Sequence, residues 1–132
     1  MHTFTLTDAQ ILLGLSYADK GADISCVELV ASCAGLSDSI PALEEFTEAF
    51  NKFLYMSVIN LDGDKIALAD FGLDIINRAR SKAGADPQLD EFIQLVLKEL
   101  SGYKLKNMCN RHVWPQEQYE QAVNAQHNNL KP

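Results

Sequence analysis

Few side chains in this sequence stand at spacings that support chemistry. Cys109 and His112 form a Cys-x-x-His step, which is either half of a metal site or a thiol with a neighbouring base. A protein metal site takes three or four ligands, and nothing nearby completes the set. A nucleophilic thiol also needs a third group to orient its base and an oxyanion site, and neither is legible. Glu44 and Glu48 stand at i, i+4 on one face of a predicted helix. Paired carboxylates do general acid–base work when a second catalytic group stands beside them, and none does here. As like charges they repel mildly. They read either as a solvated face partly compensated by Lys52, or as an acidic docking surface for a basic partner. There is no Gly-rich phosphate loop, no Gly-x-Ser-x-Gly and no His-Glu-x-x-His. The expectation is a non-catalytic protein with no cofactor and no metal.

Charge is the stronger signal. The 132 residues carry net charge −7. Residues 1–74 hold twelve Asp and Glu against three lysines, net −9, while residues 75–132 hold eight Lys and Arg against six acids, net +2. Such asymmetry bears on partners and not on fold. In the second half, Arg78, Arg80 and Lys82 end one predicted helix, and Lys98, Lys104, Lys106 and Arg111 surround the end of the next. Cations are favoured at helix C-termini by the dipole; the other reading is a basic patch for nucleic acid or an acidic partner.

The composition is that of a globular protein, with 47% hydrophobic and 22% charged residues. No apolar stretch approaches the roughly 20 residues that cross a bilayer. Met1-His2-Thr3-Phe4 shows no basic segment leading into an apolar run, so a cytoplasmic protein is expected. Cys26 and Cys33 lie two turns apart on one predicted helix, too far for a disulfide, and read as reduced buried thiols.

The elements that position these residues are legible from caps and periodicity. Thr7-Asp8-Ala9-Gln10 reads as a capping box with Leu6 and Ile11 as its staple, and the helix ends at Gly21. Ser25-Cys26-Val27-Glu28, stapled by Ile24 and Leu29, opens a second helix that stops at Gly35. A third starts at Asp38 or Ser39 with Pro41 in its first turn, buries Leu43, Phe46, Phe50, Phe53 and Leu54, and leaves Glu44, Glu45, Glu48, Asn51 and Lys52 off that stripe. Val58–Leu61 and Lys65–Leu68 flank Asp62-Gly63, a two-residue hairpin signal. A fourth helix runs from Asp70 to about Gly84, and a fifth from Asp86-Pro87 to Ser101-Gly102 through Phe92, Val96 and Leu100. Residues 103–113 are ambiguous. Trp114-Pro115 starts a last helix reaching Ala125, before a frayed tail at 127–132. Trp114, Tyr119 and Val123 cover a core edge, with homodimerisation through the fifth and last helices as the other option. The expected fold is one domain, mainly α with a small β-hairpin: a core over 4–84 and a C-terminal helical extension over 85–126.

The order helix, short extended piece at Asp23-Ile24, helix, tight turn, helix, hairpin, helix over residues 4–80 resembles the winged-helix family. Ser25–Gly35 with Leu36-Ser37-Asp38 looks like the second helix and turn. Pro41–Leu54 looks like the third helix, and Tyr55–Gly72 like the wing and the entry to the following helix. The resemblance implies a DNA-binding regulator that reads bases through the third helix. Base reading needs Arg, Lys, Asn or Gln and basic neighbours for phosphates, whereas that helix offers three glutamates and one lysine, and the wing sets Asp62 and Asp64 against Lys65. Placing this surface on DNA would reverse the sign of counterion release. The expectation is therefore a protein-binding domain, similar in character to small acidic bacterial immunity proteins. It would cover a basic partner such as a nuclease toxin through Asp38, Glu44, Glu45, Glu48, Asp62 and Asp64. The alternative is a winged-helix transcriptional regulator.

Overall fold

The computed structural model describes residues 4–19, 23–36, 40–62, 65–84, 88–103 and 115–130, without the side chains of Asp62 and of 126–130. Its elements are α1 (Leu6–Ala18), β1 (Ile24–Ser25), α2 (Cys26–Leu36), α3 (Leu43–Tyr55), β2 (Ile59–Asp62), β3 (Lys65–Leu68), α4 (Asp70–Ala83), α5 (Leu89–Ser101) and α6 (Gln116–Leu130). The fold is mainly helical, with one small antiparallel sheet in the order β1-β3-β2.

α1 runs through the middle. Ile11, Leu12, Leu13 and Leu15 are all fully buried, so the helix is apolar around most of its circumference, as a core helix must be. α2, α3, α4 and α5 all pack against it, α4 and α5 also pack on each other, and α6 lies on α2. Phe92, Val96 and Leu100 of α5 and Ala122 of α6 join the same buried cluster as Phe46, Phe50 and Phe53 of α3.

The α1 cap differs from the sequence expectation. Thr5, not Thr7, is the N-cap: its hydroxyl accepts the Asp8 N–H at 3.2 Å, and Asp8 Oδ2 accepts the Thr5 N–H at 2.9 Å. Gln10 is drawn off to donate to the Cys33 carbonyl at 3.3 Å. Leu6 is consequently the first helical residue, 52% exposed, and Phe4 ahead of the cap is the buried one, stacked on Phe53. The second box holds as read, with Ser25 and Glu28 exchanging backbone bonds at 3.2 Å each. α2 ends at Leu36, one residue past the expected stop at Gly35.

α3 begins after Pro41, because the Glu45 carboxylate caps the Ala42 N–H at 2.8 Å. The hairpin register pairs Asp62 with Lys65, which moves the two connecting positions one residue on, to 63 and 64. Extended Ile24–Ser25 pairs with β3 as a third strand. Gly72 lets α4 approach the sheet: a Cβ there would lie 2.7 Å from the Val58 carbonyl oxygen. α6 continues to Leu130, beyond the Ala125 suggested by periodicity. Among the described residues, no helix is long and apolar enough to cross a membrane.

Candidate functional site

The outer face of α3 is built by what the inner face consumes. Phe46, Ala49, Phe50 and Phe53 point into the core, and Glu44, Glu45 and Glu48 remain exposed. Asn51 and Lys52 are also buried, contrary to the expectation that they lie on the open surface. Asn51 Nδ2 donates to the Thr47 carbonyl one turn back at 2.9 Å. Lys52 Nζ reaches Asp8 Oδ2 at 2.7 Å, with both side chains at most 5% exposed, and stands 6.0 Å from the centre of the Phe4 ring.

This pairing changes the electrostatics of the surface. Asp8 is fixed by its capping role, and a carboxylate so deeply buried requires a counter-charge. Lys52 supplies it and is withdrawn from Glu48, so the compensation expected from the i, i+4 spacing does not occur. Lys52 is also the only Lys or Arg in α3 or α6. Among the described residues, no cation pairs with Glu44, Glu45 or Glu48.

α6 adds to this face. The Tyr119 hydroxyl donates to the Pro41 carbonyl at 2.8 Å, and its ring lies 6.0 Å from that of Phe46. The first turns of α3 and α6 are thereby brought together. Burial raises the Tyr119 pKa above its ordinary 10.0, helped by the nearby charges of Glu45 and Glu44. Glu117 and Glu120 of α6 are exposed, and Gln116 donates to Glu120 at 2.9 Å. These two glutamates were not among the sequence candidates; they lie on the helix that Tyr119 docks on α3. Acids in the first turn also stabilise helix N-termini, which accounts in part for Glu44, Glu45 and Glu117, but not for Glu48 a turn further on.

Of the other sequence candidates, Asp62 ends β2 with its backbone paired to Lys65, and Asp38 and Asp64 lie outside the described residues. Cys109, His112, Trp114, Lys104, Lys106 and Arg111 do so too. No family model matches the chain, and comparison with curated proteins and with solved structures gives no match either.

Three cations of the second half, Arg78, Arg80 and Lys82, have partners within the fold. Arg78 donates to the Tyr103 hydroxyl at 2.9 Å, which pushes its pKa further up. Lys82 pairs with Glu99 across α4 and α5. Arg80 stands 5.8 Å from the centre of the Phe92 ring. Asp74, Asp90 and Glu91 are exposed on the same two helices, so acids are interleaved with the bases. Among the described residues, no three His, Cys, Asp or Glu side chains converge as metal ligands would.

Proposed function

We propose that this protein is a non-catalytic, acidic protein-binding domain on a winged-helix-type scaffold. The exposed face of α3 docks on a basic protein through Glu44, Glu45 and Glu48, with Glu117 and Glu120 of α6 as further acidic candidates. In its specific form the proposal is a cytoplasmic, immunity- or antitoxin-like inhibitor that covers a nuclease-type toxin. A surface evolved to attract phosphates is basic, and an acidic cover speeds the encounter and competes with the polyanion.

The observation that carries this reading is the Lys52–Asp8 pair. It removes the single cation from the helix that DNA-binding winged-helix proteins insert into the groove, leaving three exposed carboxylates there. The scaffold reading is supported by the element order α1-β1-α2-α3-β2-β3-α4.

Affinity capture from the native host, with the wild-type chain and with a Glu44→Lys/Glu48→Lys variant as baits, tests the proposal. A basic protein retained stoichiometrically by the first and lost by the second is the expected result. Its association with the purified wild-type chain should slow by about tenfold or more between low and physiological salt. If the wild-type chain instead retains duplex DNA, with affinity falling steeply as salt rises, the regulator reading replaces this one.

A further inference from the structure

The residue ahead of α1 is tied into the ion pair that sets the charge of α3. With Thr5 as N-cap, Phe4 takes the position just before the cap, from which an apolar side chain packs back on the fold. Phe4 stacks on Phe53 of α3, ring centres 6.4 Å and planes 18° apart, and the Lys52 ammonium lies over the same ring, 6.0 Å from its centre. Lys52 and Phe53 are consecutive and leave α3 about 100° apart, so Phe4 spans both. A single oxygen, Asp8 Oδ2, accepts the Thr5 N–H at 2.9 Å and the Lys52 ammonium at 2.7 Å. Contacts therefore close a ring, from Lys52 to Asp8, to Thr5, to Phe4 and back to Lys52. Phe4 and Lys52 are both buried. A carboxylate draws an ammonium far more strongly where water is excluded.

We infer that Phe4 is a positioning residue for the α3 face: its ring covers the Lys52 ammonium, holds it on Asp8 and so keeps it from Glu48. Released, Lys52 would stand one turn from Glu48 and cancel part of its charge. That consequence rests on α3 being the docking face proposed above; the cover itself does not.

Pulsed acetylation of the full chain with acetic anhydride, read at each lysine by mass spectrometry, tests the cover. In the wild type Lys52 should react about tenfold or more slower than Lys65, which is exposed on β3. Phe4→Ala should speed Lys52 by about tenfold and leave Lys65 unchanged. It should not open Cys33, fully buried against Gly14 of α1, to N-ethylmaleimide. Phe4→Leu keeps apolar bulk, and its Lys52 should stay within about threefold of the wild type. Equal rates at Lys52 and Lys65 in the wild type overturn the inference. So does a Lys52 rate indifferent to Phe4→Ala, or one that rises in step with Cys33, because Phe4 would then act on the whole fold. If Phe4→Leu frees Lys52 as fully as alanine does, bulk is not the cover and the inference also fails. No partner enters these measurements, so a chain with a covered Lys52 that binds no basic protein would refute the docking role and leave the cover standing.

Discussion

Asp8 and Lys52, forty-four residues apart, meet at 2.7 Å in the interior, and the same carboxylate that closes the cap of α1 neutralises the only lysine of α3. One contact therefore fixes a helix end, an interhelical position and the sign of a surface.

Removing one partner leaves the other charge buried alone. Lys52→Met should lower unfolding free energy by about 3 kcal/mol in urea titrations. Asp8→Asn, which keeps an oxygen for the Thr5 N–H, should also destabilise. The double variant should be less unstable than the sum of the singles by about 1 kcal/mol or more. Strict additivity would mean that the two charges do not interact.

Two helical glycines should respond to alanine in opposite directions. Gly72→Ala forces a methyl into the Val58 carbonyl and Leu68, and should cost about 1–3 kcal/mol despite the gain in helix propensity. Gly35, inside α2, has nothing within 4 Å of its Cβ position. Gly35→Ala should raise stability by up to about 1 kcal/mol. Thermal melts of the two variants check both signs.

Burial pushes the Cys33 thiol from 9.0 up to about 12. For an acid whose folded pKa is raised, the unfolded chain loses its proton first, so stability is intact below pH 9 and declines as pH climbs from 9 towards 12. The slope from this one group approaches about 1.4 kcal/mol per pH unit. Burial raises Tyr119 in the same direction, so the comparison is with Cys33→Ala. Between pH 9 and 11 that variant should lose stability less steeply than the wild type; parallel curves would show that Cys33 does not titrate in this way.

The glutamates of α3 should separate by role. Glu45 caps the Ala42 N–H, and Glu45→Ala should cost about 1 kcal/mol. Glu48→Gln should change stability by less than about 0.5 kcal/mol, while slowing association with a basic partner if the proposed surface is the one used. A loss of several kcal/mol at Glu48 would assign it a structural role.

The helices and the hairpin are legible along the chain, because caps and hydrophobic periodicity are local. Ser25 with Glu28, the phenylalanine stripe of α3 and the run Phe92, Val96, Leu100 are each set by interactions within a turn or two, and each stands in the structure. Where two local signals compete, a distant contact decides between them. Thr5 and Thr7 both offer a cap, and what selects Thr5 is that its N3 residue, Asp8, is an acid with a cation waiting forty-four residues away.

The character of the surface was decided by tertiary structure alone. Spacing places Lys52 one turn from Glu48, and nothing nearby in the chain reveals that its ammonium turns inward, since the energy that draws it there belongs to a carboxylate on another helix. Tyr119 likewise meets α3 only through its docking on Phe46 and Pro41, far away in the chain. Charge pairing and docking act through space between distant segments; propensity acts along the backbone, and only the second is written in consecutive letters.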